Sequence, residues 1–185
     1  MKATDLLKKQ HQVVDDLFKR FEKAESGERA AIFDEIAANL VAHDAIEREI
    51  FYPAAERALG HEGILAEAIV EHGVVEFSLF RADRARRRGD FEQYVTVLRE
   101  IVKHHVKEEE NELLPKVKRA MENDELEALG EQMSERFEQA LAKDFRRPLR
   151  ANLQQVLGGN AGSASRGRAS KRRSGTTRKQ TRSAA

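Results

Sequence analysis

Two stretches of this chain repeat one pattern of potential metal ligands. HDAIEREIFYP, from His43 to Pro53, and HVKEEENELLP, from His105 to Pro115, both read His, three residues, Glu, five residues, Pro. In an α-helix, residues four apart are neighbours on one face, about 6 Å apart along the axis, so each His and its Glu project toward one point. The first pair falls in the apolar stripe Ile36, Leu40, His43, Glu47, Phe51, and the second in Leu98, Val102, His105, Glu109, Leu113. A carboxylate in a packed core costs several kcal/mol unless it is paired or bound to a cation. Two such placements at matching positions therefore call for a partner, and a metal ion is the simplest one. Pro53 and Pro115 each stand six residues beyond the Glu, where an interior Pro costs about 3 kcal/mol or more.

The inner stripes of two further amphipathic segments add to the set. Residues 4–24 place Leu7, His11, Val14, Phe18 and Phe21 on one face, and residues 64–88 place Leu65, Ile69, His72, Glu76 and Leu79 on one face. His72 and Glu76 form a third His and Glu pair at helical spacing. Collected, His11, His43, Glu47, His72, Glu76, His105 and Glu109 are a ligand set for two metals, drawn from four helices. With two ions of about six coordination positions each, the seven residues, bridging by Glu47 and Glu109 and one oxide or hydroxide bridge leave one position open. An open position on a redox metal is where O2, peroxide or NO binds. His61 in a turn and His104 beside His105 read as surface residues, as do Glu108 and Glu110 flanking Glu109. Asp44 and Asp15 are reserve carboxylates.

The elements that carry these residues come as a repeat. Residues 7–16 match residues 68–77 at His, Val and Val with an Asp/Glu exchange, an offset of 61, and the two Pro-terminated segments are offset by 62. Helices over about 4–24, 28–59, 64–88 and 91–122 follow, with breaks at the ESGE of 25–28 and the GHEG of 60–63 and a capping box at Asp90 and Gln93. The fold expected is all-α, an up-down-up-down four-helix bundle with internal pseudo-twofold symmetry over residues 1–122. A fifth helix, capped by Asp124 with Glu127, spans 123–157, packs on the bundle or a partner, and is kinked or ended at Pro148.

The chain resembles the hemerythrin-like, or HHE cation-binding, domains over roughly residues 4–121, on the two His, Glu and Pro segments. The resemblance implies a non-haem di-iron centre, two Fe ions with an oxo or hydroxo bridge, with His11, His43, His72 and His105 as imidazole ligands and Glu47 and Glu109 as bridging carboxylates. Oxygen-carrying hemerythrins have a fifth His where this chain has Glu76. An added carboxylate favours the ferric state, so iron oxidation, peroxide or NO chemistry, or sensing displaces reversible oxygen carriage. The expected function is binding of or reaction with O2, peroxide or NO. The alternatives are an enzyme with catalase-like or NO-detoxifying activity, and a metal-free helical interaction module with a nucleic-acid-binding tail.

Composition sets the remaining bounds. The 185 residues, 35% charged and 40% hydrophobic, are those of a soluble globular chain. Absence of Cys excludes disulfides, thiolate zinc sites and iron–sulfur clusters. No run is long and apolar enough for a membrane span, and the N-terminus has no apolar leader, so a cytoplasmic location is expected. Residues 158–185 hold eight Lys or Arg and no acid, which leaves 25 basic and 32 acidic residues, net −7, on the rest. This segment reads as a disordered, solvating tail, and its charges would also permit salt-sensitive, sequence-independent contact with nucleic acid.

Overall fold

The computed structural model describes residues 1–158, and among them every regular element is helical. Helix α1 (Ala3–Lys23) is followed by α2 (Ser26–Ile46), a π-helical turn (Glu47–Phe51) and α3 (Tyr52–Leu59). The second half repeats this as α4 (Gly63–Ala85), α5 (Phe91–Glu108), a π-helical turn (Glu109–Leu113) and α6 (Leu114–Ala120). These form the four-helix bundle the repeat implies, α1 packing on α2 and α4 on α5. The segment expected to be a tail, residues 158–185, lies outside the described residues except for Gly158, which closes the last helix.

Boundaries differ from expectation where side chains found other partners. Asp90 precedes α5 without capping it, because its carboxylate accepts hydrogen bonds from the guanidinium of Arg88 at 3.0 and 2.8 Å. The capping box of α7 (Asn123–Leu141) is Glu122 with Glu125, two residues before the expected pair. The chain is extended at Met121 and Glu122, so Asp124 already lies in the first turn, where its charge suits the helix dipole. Pro148 sits in the first turn of a separate helix, α8 (Arg146–Gly158), a position that suits a residue without an N–H.

Helix α7 lies on α1 and α2, and α8 lies on α4. A Cβ at Gly130 would fall on the backbone of Met1 and Ala3, so only glycine allows α7 this close to the start of α1. Gly60, with φ +79°, ends α3 in the left-handed region and turns the chain into the second half.

The apolar core comes in two parts. One holds Val14, Phe18, Phe33, Ile36, Leu79, Leu98 and Val102, closed by Phe145, Leu149 and Leu153 around α8. The other holds Leu7, Ile46, Phe51, Leu113, Leu114, Leu126 and Met133. Between the core parts lie the buried polar residues His11, His43, Asp44, Glu47, His72, Glu76, His105 and Glu109.

Candidate metal centre

The local backbone explains how two glutamates come to face inward. Pro53 and Pro115 each occupy the first turn of a helix that resumes after a π turn. Proline has no N–H to give the carbonyl four residues back, and the ladder slips by one residue just ahead of it. The N–H of Tyr52 donates to the Glu47 carbonyl and that of Leu114 to the Glu109 carbonyl, five residues back in each case. Both π turns begin at the Glu of a His and Glu pair. Single π turns of this kind are common at functional sites.

Six of the seven candidate ligands are brought together. His11, His43, Glu47 and Glu109 form one group and Glu47, His72 and His105 another, with ligand atoms in each within 4.8 Å of one another. Glu47 belongs to both, its Oε2 lying 3.0 Å from Nε2 of His43 and 3.1 Å from Nε2 of His72. The Nε2 atoms of His11 and His43 are 3.3 Å apart, and those of His72 and His105 3.0 Å. Nε2 of His11 is 3.2 Å from Oε2 of Glu109.

Each imidazole is also held from behind. Nδ1 of His11 meets Glu110 at 2.8 Å, that of His43 meets the Gln10 side-chain oxygen at 3.0 Å, that of His72 meets Asp44 at 2.7 Å, and that of His105 meets Glu71 at 2.8 Å. Every partner atom is an acceptor, which favours the proton on Nδ1 and leaves the Nε2 lone pair pointing into the site. This is the arrangement that orients metal-bound imidazoles.

Metal-free, the charges are badly matched. Burial pushes Glu109 up to about 8, with the charge of Glu47 adding to it. Burial would likewise raise Glu47, but His43 and His72 hold it well below the usual carboxylate range. Burial opposes protonation of His11 and His72, yet the neighbouring carboxylates lift them to about 8 and about 10. Burial, then the charge on His72, lowers His105 to about 4. Oε1 of Glu47 and both oxygens of Glu109 are buried without a hydrogen-bond partner among the described residues. Orphaned buried carboxylate oxygens beside four inward imidazole lone pairs fit a cation site and make poor sense as a polar core.

Glu76 stands apart from both groups. It is buried four residues after His72, but Oε1 accepts a 2.6 Å hydrogen bond from the amide of Asn152 on α8, and Oε2 lies 3.5 Å from the Arg48 guanidinium. Arg48 also pairs with Asp44 at 2.8 Å, so Glu76, Asp44, Arg48 and Asn152 form a polar network behind His72. Burial and the charge of Asp44 raise Glu76 to about 7. Glu76→Gln is therefore expected to keep the full metal content, because the amide can stay on Asn152; elemental analysis showing one ion lost would place Glu76 among the ligands after all.

His61 and His104 are exposed, and Asp15 is on the surface with Lys19 at 2.7 Å. The position of Glu110, expected to face outward, is only half-buried and its carboxylate turns back to His11. Gln10, Glu71 and Tyr52 were not singled out by the sequence. Gln10 and Glu71 immediately precede His11 and His72, so the repeat itself carried that signal. The Tyr52 hydroxyl lies 2.9 Å from Nε2 of His72 and 3.4 Å from Oε2 of Glu47. Burial and the charges of Glu47, Glu109 and Asp44 push its pKa well above the usual 10, so it stays a neutral phenol.

The bundle and its layer of buried His and Glu define a helical protein of the metal-binding class. More particularly, the chain belongs to the Hemerythrin HHE cation binding domain family, whose model matches residues 2–117. The uncharacterized proteins Rv2633c of Mycobacterium tuberculosis and Mb2666c of Mycobacterium bovis are each 33% identical over 143 residues, 75% of this chain and 87% of theirs. The crystal structure of a Hemerythrin HHE cation binding domain-containing protein, the Rv2633c homolog from Mycobacterium kansasii, is similar with a TM-score of 0.71 and 28% identity, covering 82% of this chain and 99% of that one. No helix among the described residues is long and apolar enough to cross a membrane.

Proposed function

We propose that this chain holds a non-haem di-iron centre that binds or reacts with O2, peroxide or NO. The observation that carries the reading is the sharing of Glu47 between two groups of buried ligands. A mixed set of imidazoles and carboxylates suits iron, and iron would supply the one-electron chemistry that the side chains lack. His11, His43, Glu47 and Glu109 would hold one ion, and Glu47, His72 and His105 the other.

Space beside the imidazoles supports a small ligand. A cavity of about 30 Å³ is lined by His11, His43, His72 and His105 with Val14, Leu79 and Val102. That is room for a molecule of water or diatomic size. A wider cleft between α1 and α5, about 350 Å³, shares His11, Val14, Val102 and Val106 with it and opens outward past Arg99, Lys103 and Lys107.

Tyr52 favours reaction over passive carriage, and with it the catalase-like or NO-detoxifying alternative. It sets a neutral O–H donor against the carboxylate shared by the two groups, where a proton can be offered to a bound oxygen or peroxide. Glu76, held by Arg48 and Asn152, would then add no anionic ligand, and no preference for a ferric resting state would rest on it.

The test is iron content and the visible spectrum of the purified protein, before and after peroxide. About two irons per chain and a spectral change on peroxide addition are expected, and oxygen release at an electrode selects the catalase-like reading. Protein free of metal after growth in iron-replete medium would refute the proposal. Tyr52→Phe should keep the iron and slow peroxide turnover by roughly tenfold or more; an unchanged rate would remove Tyr52 from the chemistry.

A further inference from the structure

An apolar face on the opposite side of α4 from the site has no described residue over it. Along α4 the exposed residues Glu67, Val70, Val74, Phe77, Arg81 and Arg84 recur at alternating spacings of three and four. That is the seam of a helix that packs against another helix. Val70 is 67% exposed, Val74 45% and Phe77 44%, and Val97 on α5 is 56% exposed. Two contacts fix how α5 runs beside this seam. Arg81 donates to the Tyr94 hydroxyl at 2.9 Å, and Glu71 lies 3.5 Å from His104. Both belong to one antiparallel register, which sets Val97 and the half-buried Ile101 alongside Phe77 and Val74. The result is one continuous apolar patch rather than scattered exposed side chains, and such patches mark interaction sites.

The ends of the seam carry opposite charge. Glu67 stands at the N-terminal end, and Arg81 and Arg84 at the C-terminal end, all three exposed. A partner helix laid parallel with the same charge order would set like charges together. The same helix laid antiparallel cancels both ends at once.

We propose that this face joins two copies of the chain, with α4 packed antiparallel on its counterpart about a twofold axis at the level between Val74 and Phe77. In that register Val74 of each copy meets Phe77 of the other. Val70 meets the aliphatic stem of Arg81, which is already drawn over the Phe77 and Tyr94 rings with its guanidinium 5.9 and 5.4 Å from their centres. Glu67 meets Arg84. The contact is isologous, as a closed dimer requires, and the α5 residues Val97 and Ile101 widen it beyond the helix pair.

The experiment is sedimentation velocity on the full-length, metal-loaded protein over a range of concentrations. A dimer is expected, and Phe77→Asp should raise its dissociation constant by roughly a hundredfold with metal content and helicity unchanged. Glu67→Arg and Arg84→Glu should each weaken the dimer by roughly tenfold, and the two together should restore it, since the exchange inverts both ends and keeps them complementary. These two residues are exposed, so the charge exchange remains informative if Phe77→Asp does not fold. A chain that stays monomeric at every concentration, or a dimer that is indifferent to Phe77→Asp, overturns the proposal. A charge exchange that fails to restore association overturns it as well.

Discussion

Exchange of Glu47 for glutamine is expected to take the metal content of the chain from about two ions to near none, whereas His105→Ala or Glu109→Gln removes about one. The asymmetry follows from position. Glu47 is fully buried, and one of its oxygens lies within 3.1 Å of imidazole nitrogens from both groups. Glu109 belongs only to the group with His11 and His43, and His105 only to the group with His72. Glutamine keeps the volume of the side chain and removes its charge, so a loss of metal reports coordination rather than a cavity. Elemental analysis of the variants beside the parent protein decides it. Equal metal loss for Glu47→Gln and His105→Ala would mean that Glu47 serves one ion only. Asp44→Ala, which leaves all six groups in place and unties Nδ1 of His72, should weaken metal affinity by roughly 10- to 100-fold.

That distinction between Glu47 and its look-alikes was only half legible in the sequence. Three His and Glu pairs share helical spacing, and spacing alone treats Glu47, Glu109 and Glu76 alike. What separates them is the proline six residues on: Pro53 and Pro115 follow the first two, but Ala82 stands in that place after Glu76. Glu47 and Glu109 open π turns, whereas Glu76 stays within an unbroken α4. The repeat says the same in another way, since an offset of 61 makes Glu76 the counterpart of Asp15 rather than of Glu47. Asp15 is on the surface, whereas Glu76 is buried, with Asn152 of α8 and Arg48 against its carboxylate. The partner that turns Glu76 aside, Asn152, sits on α8, beyond the Pro148 at which the sequence kinks or ends its fifth helix. Contacts between elements distant along the chain leave no periodic trace, so Asn152 on Glu76 and Arg48 on Glu76 were not readable, whereas Arg48 on Asp44 is a local pair four residues apart.

The bundle itself was readable because its information is local. Apolar period, the 61 and 62 residue offsets and the glycine at the midpoint turn all repeat within single helices or pairs of helices. The four imidazoles were legible for the same reason, each lying on a stripe whose other members are buried, except that Ile69 on the stripe of His72 is 48% exposed. Their outer partners divide on the same line. Gln10 and Glu71 hold His43 and His105 symmetrically and share the repeat, whereas Glu110 and Asp44 hold His11 and His72 from positions whose counterparts, Arg48 and Val106, are of another kind. The two halves of the centre are thus alike in ligands and unlike in surroundings.

Removal of the metal should lower the melting temperature, and the gap between loaded and metal-free protein should widen as pH rises from 7 to 9. A ligand that binds only the folded chain stabilises it by about 4 kcal/mol at a thousand times its dissociation constant. For a chain of this length each kcal/mol moves the melting temperature by roughly 2–4 °C, so one ion corresponds to a shift of roughly 8–16 °C. The pH dependence comes from protons held in the metal-free site. His11 at about 8 and His72 at about 10 are raised above the ordinary histidine value of 6.5, and Glu109 at about 8 above the ordinary 4.5. Groups raised on folding bind more protons folded than unfolded, so their contribution is present at low pH and is lost as pH climbs through the folded value. His105, lowered to about 4, acts in the other direction, but only between 4 and 6.5 and so below this window. Metal-free protein should then lose stability between pH 7 and 9. The loaded site holds no such protons, since binding displaces them and tightens as they become easier to remove. Melting curves of the loaded and chelated protein at pH 7, 8 and 9 make the comparison. A gap that narrows with rising pH, or equal melting temperatures throughout, would show that the buried layer does not exchange protons for metal.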